Sequence, residues 1–103
     1  MSNIFEKFSL DGQVALVTGG AGLLGQEFCK TLAQAGGQVV VADLDIDAAK
    51  RTAQEIEICG GKAFGVGVDV TSKESVDGMI KKTLDEFGRL DVLVCSAALD
   101  PKF

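Results

Sequence analysis

The chain has 103 residues, 47% of them hydrophobic and 24% charged, with ten basic and fifteen acidic side chains giving a net charge of −5. It contains no His, Tyr or Trp, which excludes a Ser-His-Asp triad, a histidine metal centre, a histidine general base and a phenolic proton donor within these residues. The acidic balance makes nucleic acid and anionic membrane poor partners, and no apolar run reaches the roughly 20 residues of a membrane helix.

The length suits one small domain spanning residues 1–103. Glycine is the compositional outlier at 13 residues, nearly double the usual share of about 7%. Residues 1–12 hold Glu6, Lys7 and Asp11 and no apolar h-region, so no signal peptide is expected. Cys29, Cys59 and Cys95 lack C-x-x-C spacing; buried, reduced thiols in a cytoplasmic setting are the expectation.

The turn signal Asp11-Gly12 precedes a short apolar run, Gln13 to Thr18, which predicts a buried strand. Leu24, Phe28, Leu32 and Ala35 then fall at helical spacing and Gly36-Gly37 ends that helix. Gln38 to Asp43 predicts a second strand; Ala49, Ala53 and Ile56 mark a second helix closed by Gly60-Gly61. Lys62 to Asp69 predicts a third strand, weakened by Gly65 and Gly67. Thr71-Ser-Lys-Glu74 has the form of a capping box with Thr71 as N-cap. Val76, Ile80, Thr83 and Phe87 give the third helix its inner face, and Leu90 to Cys95 supplies a fourth strand. The order β-α-β-α-β-α-β, with strands apolar throughout, implies an α/β doubly wound parallel sheet in the order 3-2-1-4.

The segment between the first strand and first helix, Thr18-Gly-Gly-Ala-Gly-Leu-Leu-Gly25, satisfies G-x-G-x-x-G at Gly20, Gly22 and Gly25. Glycines there allow a sharp turn and a close backbone approach to a pyrophosphate. The free N–H groups of the helix N-terminus, near Leu23 and Leu24, then bind the anion. Asp43 lies 18 residues beyond Gly25, at the expected carboxyl end of the second strand, where a carboxylate accepts the hydroxyls of an adenosine ribose. Asp45 and Asp47 can cap the next helix in its place. A carboxylate at Asp43, with no Lys or Arg between Val14 and Cys29, favours NAD over NADP as cofactor.

These residues resemble the short-chain dehydrogenases/reductases over essentially the whole chain. The likeness rests on Phe8-Ser-Leu-Asp-Gly-Gln-Val-Ala-Leu-Val-Thr18, the glycine loop with Gly19, Val41-Ala-Asp43, Asp69-Val-Thr71 and Gly88-Arg-Leu-Asp-Val-Leu-Val94. The resemblance implies a Rossmann-like domain in an enzyme that moves a hydride between a nicotinamide and a carbonyl or alcohol. It implies an adenine contact at Asp69 and Val70, and further cofactor contacts at Leu44, Ser96 and Ala97. It also implies a catalytic Tyr-x-x-x-Lys pair, and a chain without Tyr holds no such pair. The 103 residues are therefore expected to be a cofactor-binding half, incomplete at its C-terminal side and not catalytically competent alone.

Two departures from the family pattern stand out. The glycines at 19, 22 and 25 follow the T-G-x-x-G-x-x-G of the extended, nucleotide-sugar branch, with Leu23 where the classical T-G-x-x-x-G-x-G has its middle glycine. Cys95-Ser-Ala-Ala98 stands where the family usually has Asn-Asn-Ala-Gly. An extended-type epimerase or dehydratase, and a non-catalytic NAD-binding module, remain open alternatives. The uncharged fourth strand is expected at the sheet edge, where a second copy or a C-terminal half would complete it. The substrate is not readable from these residues.

Overall fold

The computed structural model describes residues 9–96. Strands and helices alternate as β1 (Val14–Thr18), α1 (Leu23–Gln34), β2 (Gln38–Asp43), α2 (Ile46–Ile58), β3 (Lys62–Gly67), α3 (Lys73–Phe87) and β4 (Val92–Cys95). The four strands are parallel in the order 3-2-1-4, as the sequence pattern predicts.

The apolar runs form strands because both faces of the sheet are covered. Alternate residues serve opposite layers: Val17, Val39 and Val41 pack with Cys29 of α1 and Ala49, Ala53 and Ile56 of α2. Val14, Leu16, Val40 and Ala42 pack with Met79 of α3. All of β1 and the inner four residues of β2 are buried. Each fully buried Val or Leu contributes about 1.5–3 kcal/mol relative to exposure. Gly65 does more than weaken β3: an added Cβ would lie 2.6–2.8 Å from the backbone of Ala49 and Lys50. Its missing side chain lets α2 lie directly on the strand.

The pairing of β4 with β1 is fixed at its start by a motif whose role sequence reading left unassigned. The Asp91 carboxylate accepts the Val14 N–H at 2.8 Å, and the Asp91 N–H donates to the Val14 carbonyl at 2.9 Å. The Arg89 guanidinium grips the same carboxylate through Nε and Nη2, both at 2.8 Å. The conspicuous Gly88-Arg-Leu-Asp91 is thus a structural clamp. It also explains why β4 begins at Val92 and not at the predicted Leu90.

Three further expectations are corrected. The N-cap of α3 is Ser72, whose hydroxyl accepts the Ser75 N–H at 3.2 Å. Thr71 instead turns back on Asp69, donating its N–H and hydroxyl to Oδ1 at 3.0 and 2.6 Å; the carboxylate is a strong acceptor that holds the Thr71 side chain away from the helix, and Ser72 is left to accept the N–H. Leu24 is 53% exposed and does not join the inner face of α1, which Gly25, Phe28, Cys29 and Leu32 supply. Of the cysteines only Cys29 is buried; Cys59 ends α2 in solvent and Cys95 lies on the half-open β4. Burial pushes the Cys29 thiol up to about 12.

Candidate functional site

Every residue expected to hold a ligand, among those described, lies on the segments leaving the carboxyl ends of the strands. The loop after β1 begins by extending the sheet: the Gly20 N–H donates to the Ala42 carbonyl at 3.0 Å. Gly19, with φ +70°, then turns the chain in the left-handed region that favours glycine. Gly25 packs against the Gly19 carbonyl so closely that a Cβ would overlap it.

Gly22 differs from these. Its backbone is extended, it is exposed, and an added Cβ would meet only the Gly19 carbonyl at 3.4 Å. The fold itself leaves that space open. Gly22 is also the N-cap of α1 and supplies no side-chain hydrogen bond, whereas Asp45 caps α2 and Ser72 caps α3. The N–H groups of Leu23, Leu24 and Gly25 meet no acceptor among the described residues. An open cradle at the positive end of a helix is the arrangement that takes an anion.

Asp43 stands beside this cradle and helps to shape it. Its Oδ2 accepts the Ala21 N–H at 3.1 Å and its Oδ1 accepts the Asp45 N–H at 3.0 Å. Each oxygen keeps a further acceptor direction for a hydroxyl. Capping of α2 falls to Asp45, which takes the Ala48 N–H at 3.1 Å, so Asp43 is free of that task. Among the described residues no basic side chain pairs with Asp43.

Asp69 follows β3, exposed, with its N–H donated to the Ser75 hydroxyl at 2.9 Å. The Thr71 hydroxyl, and then the Thr71 N–H, hold its carboxyl below the usual range. Val70 beside it is 49% exposed. After β4, Ser96 bonds the end of β1: its hydroxyl donates to the Thr18 carbonyl at 2.6 Å and its N–H to the same oxygen at 3.1 Å. Ser96 therefore braces β4 against the glycine loop and has its proton committed. Ala97 lies outside the described residues. The strand order reverses between β1 and β4, and the crevice there is where open α/β sheets bind ligands. Leu23, at 91% exposure, and Leu44, at 78%, add apolar surface to this rim.

The family model for short chain dehydrogenases matches residues 13–103. The chain belongs to the short-chain dehydrogenase/reductase family. It is 42% identical over 97 residues to the short chain dehydrogenase/reductase astE of Aspergillus oryzae, covering 93% of this chain and 37% of that protein. It is 36% identical over 92 residues to the 7alpha-hydroxysteroid dehydrogenase of Escherichia coli, covering 89% of this chain and 36% of the relative. A solved 7alpha-hydroxysteroid dehydrogenase, complexed with NADH and 7-oxo glycochenodeoxycholic acid, superposes with a TM-score of 0.85 at 35% identity. It covers 90% of this chain and 36% of its own. The chain thus spans a little over a third of the length of these relatives.

The fold and family expectations hold, and this short-chain dehydrogenase/reductase chain carries an oxidoreductase family's front portion. None of the three relatives is a nucleotide-sugar enzyme, so the extended-branch alternative gains no support from them. The structure also shows why Leu23 is tolerated where the classical pattern has glycine. It is the first residue of α1, and no residue among those described other than glycine needs a positive φ.

Proposed function

We propose that this chain forms the NAD-binding portion of an oxidoreductase acting on a carbonyl or alcohol. The observation that carries the reading is the open space at Gly22 over the uncapped end of α1, with the Asp43 carboxylate beside it. In this reading the N–H groups of Leu23, Leu24 and Gly25 hold the pyrophosphate, and Asp43 accepts the adenosine ribose hydroxyls. Asp69, Val70 and Leu44 border the adenine, and Ser96 is a further cofactor contact. A bound nicotinamide dinucleotide would supply or accept the hydride. Asp43 selects NAD, since its charge repels a 2′-phosphate and no Lys or Arg occurs between Val14 and Cys29 to offset it. The proton donor for the reduced oxygen has no candidate among these residues, which contain no Tyr or His. The 103 residues alone should bind NAD without turnover.

Completion of the sheet belongs to the same proposal. β4 is paired on one side only, by β1, among the described strands. An apolar hollow of about 260 Å³ lies beside it, bordered by Leu93, Ile80 and Val70. Either a C-terminal half or a second copy would satisfy this edge.

Isothermal titration with NAD and with NADP tests the cofactor assignment. Saturable NAD binding with NADP at least about tenfold weaker, a difference of about 1.4 kcal/mol, supports it. Equal or tighter NADP binding overturns it.

A further inference from the structure

The start of α1 is steadied in a way that leaves its N–H groups free. The first turns of α2 and α3 are held by Asp45 and Ser72, side-chain acceptors that each take up a backbone N–H. At α1 the steadying side chain is a donor. Gln26, half-buried in the first turn, donates its Nε2 to the Ala21 carbonyl at 2.8 Å. Its backbone N–H donates to the next carbonyl, that of Gly22, at 2.9 Å. One residue thus engages the carbonyls on both sides of Gly22.

Ala21 is tethered at both of its polar groups. Its N–H donates to the Asp43 carboxylate at 3.1 Å, and its carbonyl accepts from Gln26. The peptide joining Ala21 to Gly22 has a further tether in the Gly22 N–H, which donates to the Gly19 carbonyl at 3.1 Å. These bonds matter because the loop is rich in glycine, the residue with most backbone freedom to lose. Freedom that a free loop retains must be given up when it closes on a ligand, at a cost in affinity.

We propose that Gln26 is a positioning residue for the dinucleotide: its carboxamide pre-orders the Ala21–Gly22 peptide while leaving the N–H groups of Leu23 and Leu24 open to the anion. A capping box works the other way, since its Glu or Gln accepts an N–H at the helix start. An ionised Glu at position 26 would have no donor for the Ala21 carbonyl. The inference rests on the reading of this loop as the pyrophosphate site. The Asp43 tether acts on the preceding peptide, between Gly20 and Ala21, so the ribose side keeps its own anchor when Gln26 is replaced.

The test uses Gln26→Met, which keeps the length and helix preference of glutamine without its donor. Gln26→Asn, with a carboxamide one methylene shorter, retains the polarity but not the reach. NAD is titrated calorimetrically, and adenosine, which has no phosphate, by NMR. Both variants should bind NAD roughly threefold to tenfold more weakly, in line with the net worth of a neutral hydrogen bond, and adenosine within about twofold of the parent. In the free chain the Gly22 amide should exchange with solvent roughly threefold or more faster. Unchanged NAD affinity in Gln26→Met overturns the inference and leaves the pyrophosphate reading intact. Equal losses for NAD and adenosine also overturn it, because they signify a general loosening of the fold. A parent chain that binds no NAD overturns the reading of the loop and this inference with it.

Discussion

Replacing Gly22 by alanine separates the needs of the fold from those of the ligand. In the free protein the new methyl meets only the Gly19 carbonyl, at 3.4 Å, an ordinary van der Waals contact. Gly22 is the N-cap of α1 with extended backbone, which alanine adopts without strain. Losing glycine at an N-cap costs on the order of 0.5–1 kcal/mol, while stiffening the unfolded chain returns about 0.4–1 kcal/mol. The two effects nearly cancel, and the urea midpoint should barely move. Binding should respond differently, because the methyl occupies the space proposed for the pyrophosphate. Crowding of about 1–3 kcal/mol corresponds to a loss of roughly 5- to 150-fold in NAD affinity. Gly25→Ala is the contrasting control: its Cβ would overlap the Gly19 carbonyl and approach the Gly20 Cα at 2.8 Å. It should lower stability by about 3 kcal/mol, a large part of the roughly 5–15 kcal/mol available to a domain of this size. Paired denaturation and calorimetric titration decide the matter. A Gly22→Ala chain that folds normally and binds NAD like the parent would refute the assignment of that space.

Asp43→Asn should weaken NAD by about tenfold and narrow its advantage over NADP, because the ribose acceptor is kept only in part and the repelling charge is lost; calorimetry with both dinucleotides reads this. The Asp91 carboxyl is held low first by the Arg89 guanidinium and then by the Val14 N–H. A depressed folded value means this stabilisation is complete above the ordinary carboxylate range near about 4 and fades as pH falls through the folded value. Urea midpoints measured from neutral pH down to pH 3 should therefore decline less steeply for Asp91→Asn than for the parent, and parallel curves would contradict the clamp. Sedimentation of the 103-residue chain should reveal concentration-dependent association that Leu93→Lys suppresses, since Leu93 lies 57% exposed on β4; a stable monomer at micromolar concentration would oppose it. Thiol titration of the native chain without denaturant should find Cys29 unreactive, its thiol being buried and pushed up to about 12.

Much of this architecture was readable from hydrophobic runs and glycine punctuation. Val14 to Thr18 and Gln38 to Asp43 could only be central strands, and the βα repeat then left few topologies. The helix and strand ends were harder, because they depend on competition among local polar groups. Thr71 had the right spacing for a cap, but the Asp69 carboxylate two residues away took its hydroxyl. Asp91 and Arg89 belonged to a recognised motif, yet only the pairing of β4 with β1 reveals their partner, 77 residues away at Val14. In the site, the glycine positions were clear while their separate duties were not. The turn at Gly19, the helix contact at Gly25 and the open space at Gly22 differ in surroundings and not in residue type. The resemblance implies a cofactor contact at Ser96, whereas its commitment to the Thr18 carbonyl needs the end of β1 in view.

The most direct test of a dinucleotide site at the carboxyl ends of the strands is an amide-resolved NMR titration of the chain with NAD. Shifts should concentrate at Gly22 to Gly25, Asp43, Leu44, Asp69 and Val70, leaving Ile58 and Gly61 at the opposite end unmoved. Saturating NAD that shifts none of these crevice amides, or shifts only those of the opposite end, would contradict the account.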